Sequence, residues 1–500
     1  MLLFRILLVL ALSIPPVALY GAQQFFSWTT QVLHAYESSV ALDFEKAATL
    51  CSKEKRDNPL NLLPVYIESH IDFYKTFLED TPENIAGIKK RNTARIQLLE
   101  KFKGNSPYTR FCKGEMYLQL AISSAREEAF FTAAYDIRKA YKLLEENHRL
   151  YPDFKPNLRG LGLIHTAVGT IPKNYQWIVN MMGLDGSIQE GLSELKAHYT
   201  ATLKNPEFKI MRDEAVVILT FMELNFGKSR DFNTIRKRYT AIAGLQDKPV
   251  LLFSKSTLHF AAAENDSVIQ LLSNRERDLR AQPLHYLDFM EANARLYNLD
   301  LTAEKNYLYF LQHYKGQLYV KTALRRIAWI HLLKNDMKGY KHYISRCTSS
   351  GKDDLSEEDK AAIRESEQAE PPNVILVRAG LLFDGGYYQR ALAELAGKKP
   401  EQFTGIKNQL EFTYRLARIF DKTEKYDKAL ALYESTYKNG LRQPYYFAAN
   451  SALLIGQYYE DSKNKAKAVE WYNKTLEIRN HEYQNSIDQK AKAGINRLSP

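Results

Sequence analysis

Hydrophobic residues recur along most of the chain at helical spacing, whereas the alternating β-branched runs typical of strands are scarce. Helix-start signals accompany this pattern. Thr81 before Pro82, and Asn205 before Pro206, each place a capping side chain ahead of a proline that suits the first helical turn. Ser356 resembles the start of a capping box, with an acidic residue three positions later. The sequence therefore predicts an all-α protein.

The C-terminal third repeats a pattern of small and bulky residues. Small residues recur after 38 and then 39 positions, at Ala379, Ala417 and Gly456. Twelve positions further on they recur again, at Ala391, Ala429 and Ala468, and four positions later come the bulky residues Leu395, Tyr433 and Tyr472. Small residues let two helices approach closely, and bulky ones fill the space beside them. The pattern resembles the tetratricopeptide repeat, of period about 34, and predicts an α-solenoid of tetratricopeptide-like helical hairpins.

The same reasoning predicts how the chain is divided. Further helical hairpins are expected over 108–150 and 319–340. Residues 352–372 carry eight acids and three bases and end in two prolines, so we interpret them as a polar connection. From the N-terminus, the sequence predicts a signal peptide over 1–22, a helical-hairpin solenoid over 23–350, a charged connection over 351–372, and tetratricopeptide repeats over 373–500.

The N-terminus has the layout of a secretory signal peptide. Arg5 precedes an apolar run over 6–14, and small residues follow near Ala22, where we expect cleavage. The run is shorter than the roughly 20 residues that a membrane-spanning helix needs. We therefore expect a secreted or periplasmic protein. The alternative is anchoring by an uncleaved N-terminal helix, because Tyr20 suits a cleavage site poorly.

One segment, 156–195, has a more specific pattern. An apolar helix is followed by a glycine-containing turn and the next helix, and the turn contains Gly183, Gly186, Gly191 and Leu192. This segment resembles the inclusion-body-clearance family of outer-membrane tetratricopeptide proteins, although Met181 and Met182 stand where that family usually has phenylalanines. The resemblance implies an all-α, repeat-built, non-enzymatic protein with membrane- or lipid-associated duties.

The glycine turn can also be interpreted without any family. Gly183 and Gly186 can adopt left-handed backbone angles that other residues avoid. We expect Gly183 to end a helix over 174–182 and Ser187 to cap the helix that follows.

The net charge of the chain bears on which kinds of molecule it could bind. The chain has 69 Lys and Arg against 58 Asp and Glu, a net charge of +11, which is compatible with anionic partners but requires none. The densest basic stretch, 89–113, also has an apolar stripe at helical spacing, so we interpret it as the solvated face of an amphipathic helix. We expect no nucleic-acid partner, and membrane association is compatible with the sequence but not required by it.

The residues of known catalytic and metal sites do not occur in the required spacing. The sequence lacks the zincin, nucleophile-elbow, P-loop and dinucleotide-binding motifs. Its 11 histidines are scattered, and its three cysteines are odd in number and far apart. We therefore expect no enzyme activity, no cofactor, no metal site and no disulfide framework.

A solenoid without catalytic groups binds partners on its concave face. The repeat register places ten candidate residues there: Asn373, Asp384, Glu411, Tyr414, Arg418, Asp421, Lys422, Asn450, Gln457 and Glu460. We expect a non-catalytic scaffold of the cell envelope that binds another envelope protein on this face. The partner's identity and the oligomeric state do not follow from the sequence.

Two alternatives remain at this point. The first is a solenoid that binds glycans or lipids, favoured by the 32 tyrosines and 24 phenylalanines and by the local cluster Tyr445, Tyr446 and Phe447. Those three aromatic residues are also what a turn would use to fill a core. The second alternative is an enzyme whose site is assembled from residues distant in the sequence.

Overall fold

A computed structural model of the chain describes residues 25–79, 81–171, 179, 181–227, 231–240, 242–275, 281–351 and 356–498. These residues form helices and their connections, and no strand occurs among them, which confirms the predicted all-α class. The predicted signal peptide, 1–22, lies outside the described residues. None of the helices in the described ranges is both long and apolar enough to cross a membrane.

The chain forms two compact units. Unit 1 comprises the described residues within 1–171, 177–258 and 275–284, and unit 2 those within 259–274 and 285–500. The helices that begin in unit 1 are α1 Thr30–Val40, α2 Phe44–Asp57, α3 Leu63–Leu78, α4 Pro82–Glu100, α5 Pro107–Arg126, α6 Phe130–Leu150, α7 Asn157–Gly169, α8 Ile188–Lys204, α9 Arg212–Phe226, α10 Phe232–Thr240 and α11 Pro249–Ala261.

Unit 2 continues with α12 Asn265–Ser273, α13 Tyr286–Tyr297, α14 Ala303–His313, α15 Val320–Leu333, α16 Met337–Ser345, α17 Glu357–Ser366, α18 Val374–Asp384, α19 Tyr388–Leu395, α20 Ile406–Lys422, α21 Tyr426–Gly440, α22 Phe447–Asp461, α23 Lys465–Glu477 and α24 Gln484–Leu498. In both units consecutive helices pack on one another, and several helices also contact the next but one.

The predicted helix starts correspond to observed caps. Thr81 accepts a hydrogen bond from the Asn84 backbone at the start of α4, and Ser356 accepts one from Asp359 at the start of α17. Asn205 caps a short 3₁₀ helix, Pro206–Met211, rather than an α-helix, and α9 follows it directly. In each case a side-chain oxygen satisfies a backbone N–H that has no partner within its own helix.

The C-terminal small residues lie where the repeat pattern predicts. They are buried in three successive helix pairs, α18 with α19, α20 with α21, and α22 with α23. A Cβ atom added to Gly456 on α22 would lie 2.6 Å from a ring carbon of Tyr472 on α23. Only glycine fits here without displacing the ring, so the close approach of these two helices depends on that residue.

The stretch 351–372, predicted as a charged connection, contains α17. Asp359 on this helix accepts hydrogen bonds from the backbone N–H groups of Tyr319 and Thr322, which start α15. Glu365, nearly two turns later, accepts a 2.7 Å hydrogen bond from Arg325 Nε on α15. Acidic residues of this stretch therefore hold α17 against α15 and support the surface described below.

The glycine turn of unit 1 has the expected backbone. Gly183 has φ +62° and Gly186 has φ +148°, and Ser187 caps α8 by accepting a hydrogen bond from the Glu190 backbone. Most of the helix predicted over 174–182 lies outside the described residues. A Cβ atom on Gly186 would lie 2.6 Å from the Cα of His165, so this glycine lets the turn lie directly against α7.

Candidate functional site

Unit 2 contains a cavity of about 220 Å³ that is lined mainly by arginine and aromatic side chains. We call it the arginine cavity, and its lining residues are Arg325, Arg326, Trp329, Glu358, Phe383, Asp384, Tyr414, Arg415, Arg418, Tyr446 and Tyr483. They come from α15, α17, α18 and α20 and from the residues just before α22 and α24. Four guanidinium groups and five aromatic rings thus line the cavity. Only two carboxylates line it with them, and both are exposed.

Helical spacing explains how two of these helices present their cationic groups. Arg415 and Arg418 are three residues apart on α20, and Arg325 and Trp329 are four residues apart on α15. Residues with these spacings lie on the same face of a helix. Gly380 on α18 makes room for the result, because a Cβ atom there would lie 2.4 Å from Nη1 of Arg415.

Two of the four arginines are neutralised by carboxylates. Arg325 Nε donates to Glu365 at 2.7 Å. Arg415 donates to Glu411 through Nε at 2.7 Å and approaches it through Nη2 at 2.6 Å. Paired donors of this kind form strong, charge-assisted hydrogen bonds. These two arginines therefore shape the cavity without contributing much free positive charge to it.

The other two arginines have no carboxylate at ion-pair distance among the described residues, although the charge of Asp384 contributes to raising the pKa of Arg418. Arg418 donates to the Tyr414 hydroxyl at 2.9 Å, and its guanidinium lies 4.6 Å from the centre of the Phe383 ring. Arg326 lies 4.4 Å from the centre of the Trp329 ring, and its Nε is buried without a hydrogen-bond partner. Neither guanidinium forms an ion pair with a described residue, so the N–H groups of Arg326 and Arg418 that line the cavity are the donors that it offers to a bound group.

Trp329 organises the arginines of α15. Its indole N–H donates to Glu365 at 2.8 Å, and both Arg325 and Arg326 lie 4.4 Å from its ring centre. The side chain is only 9% exposed. Guanidinium groups are attracted to the face of an indole. Trp329 therefore holds two cations next to the cavity and is a natural reporter of anything that binds there.

A second cavity, of about 250 Å³, adjoins the first and shares six lining residues with it. Its own lining adds apolar groups, including Val377, Leu381 and Phe447, and the prolines Pro371 and Pro372. It also contains cations and acids, namely Arg364, Lys407, Glu365, Glu370, Glu411 and Glu482. The two cavities thus form one continuous surface that changes from cationic to mixed apolar and acidic character.

The structure brings half of the ten sequence-predicted residues together. Asp384, Tyr414 and Arg418 line the arginine cavity, Glu411 lines its neighbour, and Asn450 donates to the Tyr414 hydroxyl at 2.5 Å. Tyr414 is only 3% exposed, because its ring packs in the core while its hydroxyl collects these hydrogen bonds.

The other five predicted residues line neither cavity. Asn373 caps α18, and Asp421 accepts a hydrogen bond from Tyr433. Glu460 accepts hydrogen bonds from Tyr472 and Arg497, while Lys422 and Gln457 form no side-chain hydrogen bond or ion pair with a described residue. Of the aromatic cluster before α22, Tyr446 lines both cavities, and Phe447 lies in the core and at the edge of the second.

Sequence reasoning missed the arginines of α15 and Arg415. A signal was present, since two adjacent arginines precede a tryptophan by three and four residues, and a third arginine lies three residues before Arg418. Such spacings predict a shared helix face but not which other helix that face meets.

Unit 1 contains a different cluster of charge, centred on Arg159 of α7. Its side chain is 3% exposed and donates to Glu214 at 3.0 Å, to Glu115 at 2.6 Å and to the Tyr66 hydroxyl at 2.5 Å. The Tyr36 and Tyr74 hydroxyls also donate to Glu214. The charged groups are thus paired with one another inside the core, although Glu115 Oε1 and His70 Nδ1 accept or donate no hydrogen bond among the described residues.

The protonation of this cluster follows from burial and neighbouring charge. Burial opposes ionisation of Glu214, but His70, Arg159 and the phenol donors outweigh it and lower the pKa of Glu214 to about 2. Burial lowers the pKa of His70 to about 4 and that of His198 to about 3. At neutral pH the core of unit 1 therefore holds an ionised Arg159–Glu214 pair beside two uncharged imidazoles.

A third cluster joins the glycine turn to α7. His165 Nδ1 lies 2.6 Å from Glu194 and 3.9 Å from Glu190, and the three candidate ligand atoms lie within 4.8 Å of one another. Burial lowers the pKa of His165, but the hydrogen bond and charge of Glu194 raise it overall. The sequence showed the two glutamates one helical turn apart on α8; only the fold places a histidine between them.

No protein-family model matches the chain, and no curated protein matches it either.

Proposed function

We propose that the protein is a non-catalytic scaffold that binds another protein through unit 2. In this proposal the helix pairs from α18 to α23 are tetratricopeptide-like hairpins of an α-solenoid, and the two cavities lie on its concave, partner-binding face. The buried small residues at the repeat positions support the hairpin assignment. The glycine turn and the N-terminal sequence support an envelope location.

The observation that carries the proposal is the arginine cavity itself. Arginine, tryptophan and tyrosine are the residues that most often dominate the energy of protein–protein contacts. Here they converge from several helices, and two of the arginines have no carboxylate partner among the described residues.

Cavity size supports a chain segment as the occupant. Pockets for cofactors and drug-sized ligands usually enclose about 300–1,000 Å³, whereas these cavities enclose about 220 and 250 Å³. Each suits one or two side chains. Two adjoining cavities of this size fit neighbouring side chains of an extended segment.

The test is cross-linking of the tagged protein in its native cells, followed by identification of the captured proteins. Three forms are compared: wild type, an Arg326→Gln/Arg418→Gln double variant, and an Arg442→Gln control. Arg442 is exposed and lines neither cavity. Tyr414 is left unchanged because it is part of the core.

The proposal predicts that one or a few proteins are captured by wild type and by the control, and that the double variant loses them. Equal capture by all three forms would show that the partner binds elsewhere. If no protein is enriched above an untagged control, the scaffold function is wrong.

A further inference from the structure

The cavities suggest what chemistry the partner presents. We propose that the arginine cavity binds a side-chain carboxylate of an extended acidic segment, with a neighbouring apolar side chain of that segment in the second cavity. This inference rests on the proposed function and adds the chemical class of the partner to it.

The free donors in the arginine cavity require an acceptor. Arg326 lines the cavity and makes no ion pair or hydrogen bond with a described residue, and Arg418 donates only to a neutral hydroxyl. A guanidinium has five N–H donors and accepts nothing. A carboxylate presents two oxygens that can accept from one guanidinium in parallel or bridge two, so it matches this donor set.

The rim of the cavity sets the charge of the ligand. Glu358 and Asp384 line it and both are exposed; neither forms an ion pair or side-chain hydrogen bond at bonding distance with a described residue, but the charge of Asp384 contributes to raising the pKa of Arg415 and Arg418. Their negative charges would repel a phosphoryl dianion more strongly than a carboxylate of single charge. The same two carboxylates can accept hydrogen bonds from backbone N–H groups of the bound segment.

The aromatic and apolar residues that line the two cavities strengthen binding of the segment. The Trp329 ring lies against Arg326 and the Phe383 ring against Arg418, and each ring excludes water from its arginine on that side. An ion pair is stronger where water is excluded, because screening is weaker. In the second cavity Val377 and Leu381 provide apolar contact, which a segment made only of acidic residues would leave unused.

The inference can be tested on the purified full chain with capped peptides. The chain is labelled with 5-fluorotryptophan, and the ¹⁹F resonance of Trp329, one of four tryptophans, is assigned with Trp329→Phe. The probes are acetyl-Gly-Glu-Gly-Leu-Gly-amide and the same peptide with Gln in place of Glu. An acetylated peptide with no Glu but a free C-terminus tests a terminal carboxylate as the source, and inorganic phosphate tests a phosphoryl group.

The expected result is a saturable shift of the Trp329 resonance with the Glu peptide at concentrations up to about 10 mM, and at least a tenfold weaker effect with the Gln peptide. Arg326→Gln and Arg418→Gln should each weaken the response several-fold, whereas Arg442→Gln should not. Arg418→Lys keeps the charge but loses the planar fork, so it should bind more weakly than wild type while remaining folded by circular dichroism.

Three outcomes would overturn the inference: Glu and Gln peptides that act alike, no response to any peptide, or phosphate that binds more tightly than the Glu peptide. A stronger response to the peptide with a free C-terminus would show that the cavity prefers a terminal carboxylate to a side-chain carboxylate, which contradicts the inference. If the peptide experiment contradicts the inference but cross-linking still captures a partner, the scaffold function remains supported. If the Glu peptide binds selectively but cross-linking captures no protein, the scaffold function is wrong while the carboxylate preference of the cavity stands.

Discussion

Both units place arginines among aromatic rings, but Arg159 in unit 1 is paired with carboxylates, whereas two arginines of unit 2 are not. In unit 1, Arg159 is fully enclosed and bonds two glutamates and a tyrosine. In unit 2, Arg326 and Arg418 border an open cavity and have no carboxylate partner among the described residues. An arginine enclosed with its carboxylate partners has a structural role, whereas an arginine that lines a cavity without a carboxylate at ion-pair distance is available for binding.

The difference has an energetic basis. Moving an ion from water into a protein core is so unfavourable that Arg159 can be buried only with partners that satisfy it. Arg326 and Arg418 keep part of their hydration and rest against aromatic faces. They can therefore exchange water for a ligand without a large change in the fold.

The largest expected effect is on the closed cluster. Arg159→Met should destabilise unit 1 by about 3–5 kcal/mol, because it leaves Glu115 and Glu214 buried without their cation. The matched change Arg326→Met should alter the stability of unit 2 by less than about 1 kcal/mol. Native-state hydrogen exchange with peptide resolution measures each unit separately. Equal losses in the two variants would contradict the comparison.

Acid should weaken unit 1 through the same cluster. His70 and His198 have folded pKa values of about 4 and 3, below the ordinary value of 6.5. Their contribution is complete above pH 6.5 and is lost as the pH falls towards 4 and then 3, because the unfolded chain binds protons first. Glu214, with a pKa of about 2, loses its contribution as the pH falls from 4.5 towards 2.

Urea unfolding followed by hydrogen exchange from pH 7 to pH 4 measures the contribution of the two histidines, which amounts to a few kcal/mol because each pKa unit is about 1.4 kcal/mol. His198→Gln removes one titrating group and should flatten the profile of unit 1. Peptides from α20 to α23 serve as the internal reference. If the pH dependence of unit 1 stability is the same in His198→Gln and in wild type, His198 does not contribute to the loss of stability in acid.

Glycine substitutions extend the comparison to helix packing. Gly456→Ala should destabilise unit 2 by about 1–3 kcal/mol, since its new methyl group would meet the Tyr472 ring. Gly87→Ala in unit 1 meets only the flexible end of Arg91 and should be neutral or stabilising by up to about 1 kcal/mol. Thermal unfolding of the two variants beside wild type checks the difference in sign.

The smallest expected effect concerns His165, whose arrangement lies between the two extremes. Glu194→Gln removes the charge that raises the His165 pKa and leaves the burial that lowers it, so this pKa should fall. The wild-type pair contributes stability below pH 6.5 that is lost as the pH rises through the folded pKa. Titration of the His165 ring protons by NMR measures the change, and a rise in the variant would refute it.

Local signals in the sequence were enough to predict the helices of the C-terminal repeats. The period of small residues located three helix pairs, because close helix packing needs a small residue at a particular position whatever surrounds it. Caps such as Thr81 and Ser187 were predictable for the same reason, since a cap acts on the next few residues of its own helix.

The candidate site was only half predictable. The repeat register placed Tyr414 and Arg418 on the correct helix face, but it treated Glu460 and Asn373 as equivalent to them. Their real roles, an ion pair with Arg497 and a helix cap, depend on which neighbours fill the space around each side chain. A one-dimensional register contains no such information.

The sequence by itself determined that this chain is helical, where its C-terminal helices pair, and which glycines turn the backbone, because those properties depend on residues close together in the chain. Tertiary structure alone decided that Arg159 is enclosed with Glu115 and Glu214, and that Arg326 and Arg418 meet beside a cavity without a carboxylate partner. Whether a charge is satisfied or available depends on groups brought from distant helices, and only packing brings them together.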